Sequence, residues 1–320
     1  MEELEGSRVE FRLKRLAVHP TGWSPSDIEV SMNLRLDGCI VPSQTPEGAR
    51  VSFSHIVVID KFLDKTVINE LRDFLTMGHL NQLPESKWER QTADMKGAAG
   101  TWGVIPSVLE SLAQGYPDAV VEIQSRLSKL YPEYDIVHMP SQAIQRPSTG
   151  TDSFDCSAFL ANAAVEGDSF RFHLDADPTS FSSESEWTQT FGDYFNGEPG
   201  KPLLVSMIVY LNDDWDRDWA ADTLFLDSGT DTGVFVKPKL GRVVLMDQDV
   251  LHRVSAPSGL AGGRFRLSLV WKLAFLRKSS AKDHAEPCIS RPEWGKPVSF
   301  GSGARVYSML QEVARSNRKS

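Results

Sequence analysis

The spacing of apolar positions changes character along the chain, and each change predicts an element. SHIVVIDKFL is an almost unbroken apolar run that predicts a buried strand. Asp64 then stands as a helix N-cap ahead of Val67, Ile68, Leu71, Phe74 and Leu75, which recur at helical spacing. The charged and small residues of ESKWERQTADMKGAAGTWG predict a loop. In the helical region beyond it Ser107 caps one short segment and Pro117 opens the next. There Val120, Ile123, Leu127 and Leu130 form one apolar face, suited to packing on a sheet.

From about residue 134 the period falls to two. IVHMPSQAIQR, SAFLANAAV, SFRFHLD, PLLVSMIVYLN, DTLFLD, GVFVKP, RVVLMD, HRVSA and RFRLSLVWKLAFL read as short strands between turns, the pattern of a sandwich or barrel. Residues 1–50 mix strand-like runs (VEFRLKRLAV, DIEVSMNLRL) with turn-rich breaks and predict a strand pair that extends a sheet. The long segment SFSSESEWTQTFGDYFNGEPGKP offers Trp187, Phe191, Tyr194 and Phe195 either as a substrate lid or as a core of its own. After residue 277 a Pro-rich loop leads to an amphipathic helix carrying Val306, Met309, Leu310 and Val313 on one face.

Composition narrows the class. Of 320 residues 41% are hydrophobic, ordinary for a globular protein with a sizeable core. A net charge of −9 argues against a broad nucleic-acid or anionic-membrane surface. The acidic N-terminus lacks the apolar run of a signal peptide, and no stretch approaches the ~20 apolar residues of a membrane span. These features lead to the expectation of a protein inside the cell, cytoplasmic or nuclear. Cys39, Cys156 and Cys288 are odd in number and widely spaced, matching neither a disulfide framework nor a thiolate zinc site.

The chemistry concentrates in FRFHLDADP, where His173 and Asp175 stand two apart and share a face if the segment is extended. Asp177 and Pro178 shape the turn that follows. A pair of this kind arises by chance, so a third ligand must be found. GRVVLMDQDVLHRVSAP supplies it, with His252 heading a strand after a polar turn. Two imidazoles and one carboxylate on one face of an octahedral metal leave three open positions, the arrangement of non-haem Fe(II) oxygenases. The strand RFRLSLVW then provides a cation for the far carboxylate of 2-oxoglutarate. Arg264, Arg266 and Ser268 alternate onto one face, and Arg266 with Ser268 is the first choice because a guanidinium grips a carboxylate with two hydrogen bonds and a nearby hydroxyl adds a third. Arg264 is the alternative if a bulge exchanges the two.

The ordered series HLD at 173–175, IVYLNDDWD at 208–216, ADTLF at 221–225, GRVVLMD, His252 and RLSLVW at 266–271 resembles the iron(II) and 2-oxoglutarate-dependent dioxygenases. The likeness is to the prolyl 4-hydroxylase-like branch that includes the hypoxia-sensing prolyl hydroxylases, and VVIDKFLDKTVINELRDFL resembles that family's opening strand and helix. The resemblance implies a mainly β fold, a double-stranded β-helix (jelly-roll) core with helices packed on one sheet. It implies His173, Asp175 and His252 as iron ligands, Arg266 as the salt-bridge partner of 2-oxoglutarate and Tyr210 as a hydrogen-bonding partner. It also implies O2 as co-substrate, ascorbate as an optional reductant, and release of succinate and CO2. Residues 51–277 would form the dioxygenase domain, with the first strand and helices at 51–133 and the catalytic core at 134–277. Residues 1–50 would be a strand-rich extension and 278–320 a C-terminal loop and helix.

Two positions depart from the family pattern. Ala220, Ala221 and Asp222 stand where the family usually has Gly-Gly-Glu, and an arginine anchors where collagen-type members use lysine. The substrate expected from the resemblance is a prolyl residue of a protein or peptide, with a free amino acid or small metabolite as the alternative. A catalytically silent β-helix binding module and a cupin-like metal protein are the readings from other classes.

Overall fold

The computed structural model describes residues 22–41, 50–91, 100–139, 158–168, 170–227, 230–278 and 287–301, with the backbone alone at 37–41 and 50–52. The strand expected at VEFRLKRLAV and the helix expected around Val306–Val313 lie outside these residues. In chain order the elements are β1 (Glu29–Val41), β2 (Arg50–Asp60), α1 (Lys65–Thr76), β3 (Trp88–Arg90), β4 (Trp102–Val104), α2 (Pro106–Ala113), α3 (Asp118–Leu130), β5 (Tyr134–His138) and β6 (Phe159–Ala164). They continue with α4 (Glu186–Phe191), β7 (Leu203–Tyr210), β8 (Thr223–Asp227), β9 (Thr232–Val236), β10 (Val243–Asp247), β11 (His252–Val254), β12 (Arg266–Arg277) and β13 (Val298–Phe300).

A ten-stranded sheet runs β13-β1-β2-β10-β7-β12-β6-β4-β3, with β5 also paired to β12, and a three-stranded sheet runs β11-β8-β9. A single bridge between His173 and His252 adds one rung to the free edge of β11. From β6 onward the chain steps between the two sheets: large at β6, small at His173, large at β7, small at β8 and β9, large at β10, small at β11, large at β12. That alternation is a jelly roll.

The period of two sets what each face of the large sheet covers. On β7 Val205, Met207 and Val209 join α1, α2 and α3 in one core, while Ile208 and Tyr210 meet Phe225 and Val236 of the small sheet in another. Both faces are covered, and β7 is buried at every position. Helix α1 begins as its cap predicts, with the Asp64 carboxylate accepting from the Thr66 and Val67 amides. It buries Val67, Ile68, Leu71 and Leu75, and each such side chain contributes roughly 2 kcal/mol by leaving water. Gly241 turns the chain into β10 at φ +68, where a Cβ would come within 2.5 Å of Ile68 Cδ1. A side chain there would have to displace the Ile68 methyl and adopt a left-handed backbone that glycine alone takes without strain.

Several expectations are corrected. The stretch expected as a loop carries β3 and β4, an antiparallel pair on the edge beyond β6. Its strands are three residues each, too short for periodicity to register. Pro106 rather than a Ser107 cap starts α2, because a proline at the first position needs no amide partner. Among the described residues of SFRFHLD, 170–175, there is no strand, only the His173 bridge. Its apolar residues alternate, yet its pairing ends after one rung. The long segment at 180–202 is a small core: Trp187 and Tyr194 are buried with Phe181, Ala176, Val137 and Met139. The Trp187 indole donates to the Tyr194 hydroxyl, and Asn196 makes two hydrogen bonds to the Leu204 backbone. No helix among the described residues is long and apolar enough to cross a membrane.

Candidate metal centre

The His173–His252 bridge lies where the small sheet ends, and its two backbone hydrogen bonds (3.0 Å each) put both imidazoles on the inner side. Asp175 is turned into the same space by its own amide and that of Ala176, both donating to the Gln248 carbonyl. Gln248 is fixed in turn, its side-chain amide donating to Val205 and Leu273 carbonyls. The distances are 3.8 Å from His173 Nε2 to Asp175 Oδ1 and 4.0 Å from His252 Nε2 to Asp175 Oδ2. One ligand atom from each residue falls within 4.8 Å of the others.

Backbone carbonyls decide the imidazole tautomers. His173 Nδ1 lies 2.9 Å from the Arg171 carbonyl and His252 Nδ1 lies 2.8 Å from the Val250 carbonyl. A carbonyl only accepts, so Nδ1 carries the proton and each Nε2 presents a lone pair to the shared space. Burial lowers the His252 pKa, partly opposed by the Asp175 charge, which keeps that ring neutral. Two imidazole nitrogens and a carboxylate oxygen fit a divalent metal of the Fe(II) type. His173 is 52% exposed while Asp175 and His252 are each 7% exposed, so the centre opens on one side.

Burial by itself would raise the Asp175 carboxyl. The Lys272 ammonium, with hydrogen bonds from Lys272 and Ser206, instead holds it well below the usual carboxylate range. Neither Lys272 nor Ser206 was expected from the sequence. Each was nonetheless visible as a polar residue interrupting an apolar run, at the same parity as Ser268 on β12 and Tyr210 on β7.

The second cluster lies toward the start of β12. Arg266 is 1% exposed. Its Nη1 donates to Ser268 Oγ (2.6 Å), its Nη2 donates to Thr223 Oγ1 (3.1 Å), and its guanidinium stacks 4.8 Å from the Tyr210 ring centroid. Tyr210 shares a 2.6 Å hydrogen bond with the same Thr223 hydroxyl. Thr223 is a member that the sequence did not reveal. Nε of Arg266 is buried with no partner, and among the described residues no carboxylate pairs with the group. Asp222 reaches it only through space, its carboxylate being bound to Lys237. Arg264, the alternative anchor, is not on the strand, because Gly262 and Gly263 still turn the chain there at φ 61 and 74. It is exposed, stacked 4.8 Å over Trp219 with Nη1 donating to the Ala261 carbonyl. The turn that leads into Thr223 holds Ala220 and Ala221 at φ 55 and 61, so the alanines adopt the geometry suited to glycine.

No family model and no curated protein matches the sequence. Among solved structures the chain is similar to a Pseudomonas putida prolyl-4-hydroxylase, at 15% identity over 70% of this chain and 92% of that one, TM-score 0.36. It is similar to an oxidoreductase of the 2OG-Fe(II) oxygenase family from Burkholderia pseudomallei, at 15% identity over 68% and 84%, TM-score 0.39. A third is a Trichoplax adhaerens prolyl hydroxylase in complex with a hypoxia inducible factor peptide fragment, at 15% identity over 69% and 83%, TM-score 0.32.

Proposed function

We propose that the protein is an Fe(II)- and 2-oxoglutarate-dependent dioxygenase that hydroxylates an unactivated C–H bond, with a prolyl residue of a protein or peptide as its substrate. The observation that carries the reading is Arg266, a buried guanidinium without a carboxylate partner among the described residues, on the same strand face as the lysine that touches the metal-site aspartate. A buried charge is stable only when paired, so the pocket is built for an anion.

His173 Nε2, His252 Nε2 and a carboxylate oxygen of Asp175 would hold the iron. Arg266, Ser268, Thr223 and Tyr210 would hold the distal carboxylate of 2-oxoglutarate. With the metal bound, the chemistry supplied is activation of O2 coupled to oxidative decarboxylation of 2-oxoglutarate to succinate and CO2, one oxygen atom passing to the substrate; ascorbate would serve as reductant. The chain's part is positioning. The Arg171 and Val250 carbonyls fix the imidazole lone pairs, the sheets enclose the Arg266 pocket, and half-exposed His173 leaves the centre open on one side to a substrate residue.

A free amino acid or small metabolite is the competing substrate class. Peptide-dependent succinate release separates the two. The reading expects turnover with proline-containing peptides at low micromolar enzyme and none with free proline. Turnover of free amino acids alone would move the assignment to a small-molecule hydroxylase. Metal binding by the wild type together with 2-oxoglutarate binding that is absent or unchanged by Arg266→Met would favour the cupin-like reading.

A further inference from the structure

The β7–β12 pair brings three residue pairs to the inner face in register: Ser268 opposite Tyr210, Val270 opposite Ile208, and Lys272 opposite Ser206. The first belongs to the anion pocket. The last meets Asp175, with Lys272 Nζ donating to Oδ1 at 2.8 Å and Ser206 Oγ donating to Oδ2 at 2.6 Å. Lys272 is only 14% exposed, and its backbone is held on both sides, the amide by Ala158 and the carbonyl by Met139. Both carboxylate oxygens therefore already have donors, and one donor is a fixed cation.

We propose that Lys272 is the built-in counter-cation of the metal centre, holding Asp175 charged and aimed while no metal is bound and loosening the grip of the site on a divalent ion. The first half follows from burial: an aspartate this enclosed is costly without a partner, and the ammonium supplies charge and hydrogen bond together. The second half follows from Coulomb's law, since the ammonium and a divalent cation would share one carboxylate and repel each other at short range. Each carboxylate oxygen has two lone-pair sites, so metal and donor can coexist, with the lysine drawing electron density from the ligand. The centre is thus assembled before the metal arrives.

The inference rests on the metal-centre reading, and Mn(II) is a probe that needs no turnover. Free Mn(II) is followed by electron paramagnetic resonance during titration of the wild type, Lys272→Met and Lys272→Arg, alongside thermal unfolding with and without saturating Mn(II). Lys272→Met should bind Mn(II) about tenfold or more tightly, by the size of the repulsion removed. Its metal-free form should melt earlier than wild type, and saturating Mn(II) should close that gap. Lys272→Arg should keep both wild-type values. If Lys272→Met does not fold, Lys272→Gln, which keeps a donor and drops the charge, carries the same expectation. Unchanged or weaker Mn(II) binding by the neutral variants overturns the proposal while leaving the metal centre standing. No binding by the wild type sinks both.

Discussion

Two buried charges sit on the same face of β12, and the chain treats them oppositely. At Lys272 the cation meets an aspartate, two hydrogen bonds close the carboxylate, and Asp175 is held ionised. At Arg266 the cation meets hydroxyls and an aromatic face, one nitrogen is left over, and burial draws its pKa down. The Asp175 end is balanced within the chain; the Arg266 end, among the described residues, is not. An enclosed charge that the fold leaves unbalanced is therefore a statement about a ligand.

The largest test removes the balanced carboxylate. Asp175→Ala should lower Mn(II) affinity by more than about 100-fold, since losing even a supporting partner of a metal ligand costs about 10–100-fold. The same titration checks it, and retained affinity would place the metal elsewhere. Next, Arg266→Met should leave Mn(II) binding intact and weaken 2-oxoglutarate binding about 30- to 1000-fold, the usual consequence of removing one member of a buried charged pair. The ligand-free variant should be more stable to urea by about 1 kcal/mol, because an unpaired buried charge gives way to an apolar side chain. A loss of several kcal/mol would mean that the chain itself balances Arg266.

Asp249 sharpens the contrast between aspartates. Burial and the neighbouring Asp247 charge push its carboxyl from 3.8 to about 8, and hydrogen bonds from Ser54 and Asn196 do not offset them. Between those values the folded chain holds a proton that the unfolded chain has released, so the contribution of Asp249 to stability is full below pH 4 and falls as pH rises toward 8. Asp249→Asn should flatten that decline, which is at most about 1.4 kcal/mol per pH unit; urea midpoints at pH 5, 6.5 and 8 measure it. An unchanged slope would assign the decline to other groups. The smallest effect concerns the turn that leads into Thr223. Ala220, at φ 55 and ψ −133, sits where glycine is at ease, and Ala220→Gly should raise stability by about 1 kcal/mol in the same assay.

How much of this was legible follows from the reach of each signal. The α1 cap at Asp64, the apolar faces of α1 and α3 and the long strands β7, β10 and β12 are local patterns, and the chain states them plainly. The triad was legible because an extended His-x-Asp and a histidine at a strand start have few other reasons to occur in that order. Arg266 and Ser268 were legible as a pair two apart, but Arg264 was not separable from them until the glycine turn fixed where β12 begins. Thr223 and Gln248 depend on register across sheets, which no local pattern encodes. Lys272 lies between: its parity with Arg266 was in the sequence, while its partner Asp175, 97 residues away, was not.

The central claim is that the triad and Arg266 serve one co-substrate, and an anaerobic titration of the metal-free protein with Fe(II) and then 2-oxoglutarate tests it most directly. The account predicts a visible metal-to-ligand charge-transfer band that appears only when both are present, vanishes in Asp175→Ala and requires far more 2-oxoglutarate in Arg266→Met. Iron binding without that band, or a band indifferent to Arg266, would contradict it.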